Sequence, residues 1–218
     1  MGLIAIGDIH GCAETLNVLL GTLDPDGDDR IVFVGDYVDR GPDSRRVIDI
    51  VLELSQSVPC VFLRGNHEAL MLDYLDHRVF EPWRANGGLD TLESYVDDER
   101  NTVIPDEHER FLRETRLYHE EDDYCFVHAG LRPEYSVAKN LERNDEGVFL
   151  WERSHLKAPR LNWEKTVVCG HTPVTEPINQ DQLINVDTGC VYHNRRGYGR
   201  LTAVRLPERE FISIPYQD

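Results

Sequence analysis

Asp8, His10, Asp36, Asn66, His67, His128 and His171 each stand at or just beyond the end of a short apolar run. Together they offer carboxylate, amide and imidazole donors. Mixed oxygen and nitrogen donors suit a transition metal better than calcium, which takes oxygen ligands alone. One ion needs only about four to six ligands, so a set this large is assigned most economically to two ions sharing a carboxylate. Taken singly, a Gly-Asp after an apolar run is a common turn, and a strand-end His is more often structural. Recurrence after successive runs is what points to chemistry.

The runs that must position these groups are residues 3–6, 31–34, 61–63, 124–127, 166–169 and 183–186. Short, β-branched and continuously apolar, they predict strands covered on both faces. Helical patterns separate the first three: residues 13–20, with Leu16, Leu19 and Leu20 on one face, and residues 44–54, with Val47, Ile48, Val51 and Leu52. This is a βαβ rhythm, and ligands in such sheets bind outside the carboxyl ends of the strands. Residues 68–118 read as mostly helical and polar, with 81–123 forming a helical insertion or cap-like segment. The Asn86-Gly87-Gly88 turn within it either ends a helix or lies over the site. Strands at 201–204 and 211–214 flank a turn at Pro207-Glu208-Arg209. No repeat, low-complexity tract or linker divides the chain, so a single α/β domain over residues 1–218 is expected.

The 218 residues carry 40 acids against 23 Lys and Arg, a formal net charge of -17. Such a field disfavours nucleic-acid coating and anionic membranes, and an anionic substrate needs a locally positive site. The excess is uneven. Residues 1–80 hold 14 acids and 6 bases, residues 81–125 hold 14 and 5, and residues 126–218 hold 12 and 12. An acidic shoulder on the helical segment, beside a metal-rich positive hole, follows as an expectation. The start of the chain lacks the marks of a targeting leader, and no run reaches membrane-spanning length. Cys12, Cys60, Cys125, Cys169 and Cys190 are widely spaced and never in Cys-x-x-Cys form. They read as reduced packing thiols of a cytoplasmic protein.

Gly7-Asp8-Ile9-His10-Gly11, Gly35-Asp36-Tyr37-Val38-Asp39-Arg40-Gly41, Gly65-Asn66-His67-Glu68, His128-Ala129-Gly130-Leu131 and Gly170-His171-Thr172-Pro173 form an ordered series. The series resembles the phosphoprotein phosphatases within the calcineurin-like metallophosphoesterases. Trp83 to Gly88, Trp151-Glu152-Arg153 and Val186-Asp187-Thr188-Gly189 look most like the small bacterial and bacteriophage-lambda-type members. The resemblance implies an α/β fold with a central β-sandwich of mixed sheets flanked by helices, plus a helical insertion. It also implies two divalent ions, Mn foremost with Fe, Zn or Ni as alternatives. Asp8 and His10 would bind one ion, Asp36 would bridge, and Asn66, His128 and His171 would complete the second. A bridging hydroxide would attack phosphorus directly, with no phosphoenzyme. His67 would be the general acid and Asp39 its carboxylate partner, while Arg40 and Arg153 would grip the phosphoryl group.

The resemblance leaves the ester open. A phosphorylated protein or peptide carrying phosphoserine or phosphothreonine, with phosphotyrosine also acceptable, is the leading substrate, because the chain keeps Asp39 and Glu68. The alternative is a small phosphate ester, through symmetrical dinucleoside tetraphosphate hydrolysis. A non-catalytic metal-binding module and a nuclease rank lower. His77, His108, His119 and His155 read as solvated, and His193 as a candidate for the rim. Asp187 reads as a turn residue or a neighbour of the ligands, Glu68 as a residue that caps or orients its neighbours, and Cys12 as a small packing residue rather than a nucleophile.

Overall fold

A computed structural model describes residues 2–218. Its strands are β1 (Leu3–Ile6), β2 (Arg30–Phe33), β3 (Cys60–Phe62), β4 (Tyr118–Glu121), β5 (Tyr124–Val127), β6 (Thr166–Cys169), β7 (Ile178–Asn179), β8 (Leu183–Asn185), β9 (Arg200–Leu206) and β10 (Glu210–Pro215). They form two mixed five-stranded sheets, ordered β10-β9-β1-β2-β3 and β4-β5-β6-β8-β7. Within the first sheet β1, β2 and β3 are parallel, and antiparallel β9 and β10 extend it. In the second, β5, β6 and β8 are parallel between antiparallel edges.

The strands that carry the donors are apolar because they face two cores. Side chains alternate across a strand, so Ala5, Val32, Val34, Phe126 and Val168 meet between the sheets. Their neighbours Ile4, Ile6, Ile31 and Phe33 turn outward beneath helices α1 (Ala13–Leu23) and α2 (Ser44–Leu54), which supply Leu16, Leu19, Val47, Ile48 and Val51. Cys125, Val127, Val167 and Cys169 turn the other way, onto Val137, Val148 and Phe149. The result is an α/β sandwich flanked by helices. Helix α2 is started by the Asp43 carboxylate, which accepts from Arg46 N at 2.9 Å. This satisfies a donor the helix leaves free.

Helix α3 (Asn66–His77) leaves β3 directly, and α4 (Glu81–Arg84), α5 (Gly88–Ser94) and α6 (Asp106–Glu114) follow. Segment 81–123 thus contains three helices and the edge strand β4. Tyr95 and His108 are buried within it, joined by a 2.8 Å hydrogen bond that continues to Asp49 of α2 at 3.0 Å. His108 is therefore not solvated as its polar sequence context suggests. Helices α7 (Val137–Arg143) and α8 (Glu146–Trp151) cover the second sheet. The five cysteines are free and only Cys60 is partly exposed. Among the described residues, no helix is long and apolar enough to cross a membrane.

Candidate dimetal site

The carboxyl ends of β1, β2, β3, β5 and β6 converge on one rim. Asp8 and His10 follow β1, Asp36 follows β2, Asn66 and His67 open α3 after β3, His128 follows β5, and His171 follows β6. All seven are buried. Ligand-capable atoms gather into two groups, His10 with Asp36 and His67, and Asp36 with His128 and His171, each spanning no more than 4.8 Å. Asp36 belongs to both and divides its oxygens between them. Its Oδ1 lies 3.4 Å from His128 Nε2, and its Oδ2 lies 3.5 Å from His10 Nε2. Asn66 Oδ1 joins the second group, 3.0 Å from His128 Nε2 and 2.8 Å from His171 Nδ1.

Backbone carbonyls fix the imidazole tautomers. His10 Nδ1 donates to Val38 O at 2.9 Å and His128 Nδ1 donates to Val34 O at 2.9 Å, because a carbonyl can only accept. Both Nε2 lone pairs are left facing the cluster, as ligation requires. Burial holds His10, His128 and His171 below the ordinary imidazole range, His171 down to about 2, so all three rings are neutral. Asp36 stays ionised. Burial opposes its charge, yet attraction to whichever of the surrounding imidazoles carries a proton, His67 being the ring whose pKa is raised, holds its carboxyl well below the usual range.

Asp8 is the opposite case. Burial first, then Asp187 and Asp36, push its carboxyl well above the ordinary range. Burial, and after it the charge of Asp36, takes Asp187 up to about 7. Asp8 Oδ2 accepts from His171 N at 2.9 Å, whereas its Oδ1 is buried with no hydrogen-bond partner. An orphaned carboxylate oxygen among other carboxylates calls for a cation. The donor set fits a pair of divalent ions on that ground.

His67 differs from the other rings. Burial opposes its charge, but Asp36 and the hydrogen bond to Asp39 outweigh it and raise its pKa. His67 Nδ1 lies 2.6 Å from Asp39 Oδ2, and His67 Nε2 lies 3.9 Å from Asp36 Oδ2. Asp39 is itself held from three sides. Trp83 Nε1 donates to it at 2.9 Å, Thr91 Oγ1 at 2.6 Å, and its own amide donates to Thr91 Oγ1 at 2.8 Å and Ser44 Oγ at 3.0 Å. Trp83 stood in a recognisable sequence stretch, but Thr91 and Ser44 gave no signal. Glu68 caps, as expected, and does more. Its two oxygens accept from the amides of Gly65 and Asp36 at 2.8 Å, and of Tyr37 at 2.8 Å and Val38 at 3.3 Å, tying the loop after β2 to the start of α3.

The loops are strained where they carry ligands. His10, Asp36, Asp39, Arg40 and His171 all have left-handed backbone, with φ of 48°, 54°, 74°, 71° and 65°. Each costs roughly 1–3 kcal/mol and persists only where its surroundings dictate it. Gly65 permits a close approach, since a Cβ there would stand 2.0 Å from Asp36 Oδ1. At Gly87 (φ 103°) a Cβ would meet Arg40 N at 2.8 Å, so the 86–88 turn lies against Arg40. Arg40 Nη1 donates to His10 Nε2 at 2.7 Å, and exposed Arg153 donates through Nε to His171 Nε2 at 3.0 Å. Both guanidiniums therefore reach the cluster.

The family model for calcineurin-like phosphoesterases matches residues 1–201. The chain belongs to the calcineurin-like phosphoesterases. Among curated members it is 34% identical to the asymmetrical bis(5'-nucleosyl)-tetraphosphatase PrpE of Anoxybacillus flavithermus, over 96% of this chain and 92% of that one. The Oceanobacillus iheyensis protein of the same description is 33% identical, covering 96% and 90%. A solved structure provisionally assigned as a diadenosine tetraphosphatase superposes with a TM-score of 0.71 at 28% identity, covering 100% of this chain and 94% of its own. This calcineurin-like phosphoesterase is a metal-dependent phosphoric ester hydrolase by family, and its buried His/Asp clusters are consistent with the dimetal site typical of that family.

Other histidines fall outside the site. His155 is buried, not solvated. Its ring packs beside Trp163 and over Gly130, with both nitrogens lacking a partner, and burial pushes it down to about 4. His193 is exposed and stacks on Tyr216 with ring centroids 3.9 Å apart. Asp187 both accepts from Gly189 N at 2.8 Å, closing a turn, and stands beside Asp8. Cys12 is buried in the helix-side core.

Proposed function

We propose that the chain hydrolyses dinucleoside tetraphosphates, cleaving a phosphoric anhydride by direct attack of water. The reaction class rests on one observation, the division of the Asp36 oxygens between the two ligand groups. The substrate rests on near-complete similarity to tetraphosphatases. The preference for phosphoserine or phosphothreonine that Asp39 and Glu68 suggested loses its basis. Asp39 holds His67 and Glu68 clamps backbone amides, tasks that any phosphate ester would require. In this reading Asp8, His10 and Asp36 would hold one ion, and Asp36, Asn66, His128 and His171 the other, with Mn first among candidates. When bound, two such ions polarise phosphoryl oxygens and lower the pKa of the attacking water.

The chain's own residues supply the rest. Arg40 and Arg153 turn their guanidinium forks from the histidines onto phosphoryl oxygens, giving the local charge reversal that a -17 chain requires. His67, kept protonated by Asp36 and Asp39, delivers a proton from Nε2 to the departing oxygen, while its Nδ1–H remains on Asp39. The test is kcat/KM for diadenosine tetraphosphate against a phosphoserine peptide, with products identified. A preference of at least a hundredfold for the dinucleotide is expected, with AMP and ATP as products. Preference for the peptide, or paired ADP products, would overturn the reading in substrate or in cleavage position.

A further inference from the structure

A tetraphosphate extends beyond the phosphorus under attack, and the distal phosphates need counter-charge on a strongly acidic protein. The loop from Cys190 to Arg200 contains three arginines and no carboxylate. It springs from Asp187, beside Asp8, and is closed by its own backbone. Tyr192 N bonds Gly189 O at 2.9 Å, Arg195 N bonds Tyr192 O at 2.8 Å, Tyr198 N bonds Arg195 O at 3.1 Å, and Gly199 N bonds Gly189 O at 2.9 Å. The loop is thus a defined shape attached to the site.

Half-buried Tyr192 links this loop to the cluster. Arg40 Cζ lies 5.7 Å from its ring centroid and Arg195 Cζ lies 4.7 Å from the same centroid. Arg40 reaches inward to His10, while Arg195 is exposed. Neither guanidinium has a carboxylate within ion-pairing distance among the described residues. Both guanidiniums are thus anchored to one ring, and together they offer counter-charge to a polyanion long enough to reach from one to the other. Arg200, by contrast, is paired with Glu176 at 3.0 Å.

We propose that Arg195, held against the same Tyr192 ring as Arg40, binds phosphates distal to the one attacked and so selects linear polyphosphate esters over phosphomonoesters. This rests on the tetraphosphate reading above and adds a specificity-determining residue to it. Planar guanidinium is suited to the task because it grips phosphate bidentately and stacks on an aromatic face at once.

The test uses the Mn-loaded full chain at fixed free metal concentration. Two quantities are measured for wild type, Arg195→Ala, Arg195→Lys and Tyr192→Leu: the ratio of kcat/KM for diadenosine tetraphosphate to that for p-nitrophenyl phosphate, and the inhibition constant of tripolyphosphate against p-nitrophenyl phosphate. Arg195→Ala should lower the ratio at least tenfold, about 1.4 kcal/mol, mainly through KM, and raise the inhibition constant similarly. Arg195→Lys should fall between, and Tyr192→Leu should follow Arg195→Ala. An unchanged ratio and inhibition constant in Arg195→Ala would overturn the subsite while leaving the tetraphosphate reading intact. A wild type inactive on the dinucleotide, yet inhibited by tripolyphosphate in an Arg195-dependent way, would remove the parent reading and support the subsite.

Discussion

Replacing Asp39 by Asn isolates the proton donor without changing the shape of the site. Asp39 Oδ1 accepts from Thr91 Oγ1 at 2.6 Å and Trp83 Nε1 at 2.9 Å, while Oδ2 faces His67 Nδ1 at 2.6 Å. A carboxylate oxygen can only accept, so the Thr91 hydroxyl is the donor in the 2.6 Å contact with Oδ1. Trp83 Nε1 is shared between Oδ1 and Oδ2, at 2.9 and 3.0 Å, so the Thr91 hydroxyl, which donates to Oδ1 alone, dictates how an asparagine would sit. Its carbonyl oxygen stays with Thr91 and Trp83, and its NH2 turns to His67. Nδ1 must then accept, the remaining proton moves to Nε2, and an imidazolium would set N–H against N–H. Neutral imidazole is a far poorer acid than imidazolium. General acid catalysis is worth about 10²–10⁴-fold, or roughly 3–5 kcal/mol of barrier. Across a series of aryl and alkyl phosphates, Asp39→Asn should lose about 10³-fold in kcat for poor leaving groups and under tenfold for p-nitrophenolate. Equal loss along the whole series would refute the assignment of His67 as the acid and Asp39 as its partner.

Stripping divalent ions should abolish hydrolysis of p-nitrophenyl phosphate and lower the melting temperature, since Asp8, Asp36 and Asp187 would be left crowded and uncompensated; adding Mn should restore both. Full activity after verified demetallation would contradict the dimetal assignment. His155 predicts acid sensitivity away from the catalytic rim. Its folded pKa of about 4 lies below the ordinary 6.5, so the unfolded chain binds the extra proton between those values. The contribution is fully present above pH 6.5 and is lost as pH falls towards 4, by up to about 3 kcal/mol. Urea unfolding of His155→Leu at several pH values should show a flatter acid limb than wild type, whereas superimposable slopes would dismiss the idea.

Much of the site was legible because its donors follow directly from strand ends. Once the runs at 3–6 and 31–34 are taken as parallel neighbours, Asp8 and Asp36 must share a rim, whereas His171, on the second sheet, joins it only through the packing of the two sheets. Helix α2 formed at the residues its apolar spacing indicates, and α1 ran only a few residues longer. Histidines were harder to place. His108 and His155 stand in polar sequence, and their burial comes from partners distant along the chain: Asp49 for one, Gly130 and Trp163 for the other. Thr91 was invisible for the same reason, since a lone threonine on a short helix carries no local mark of a contact with Asp39.

The sequence by itself determined the donor-bearing strands, the helices between the first three of them and the chemistry of the donors, because periodicity and side-chain type are local properties. Only the tertiary structure decided that each Asp36 oxygen faces a different ligand group, that Glu68 locks strained loops by their amides, and that Trp83 and Thr91 hold the partner of His67. It also decided where positive charge survives on an acidic chain. Arg40 and Arg195 are 155 positions apart in sequence and meet over one tyrosine ring. Such pairings arise when distant loops close on each other, and no spacing along the chain encodes them.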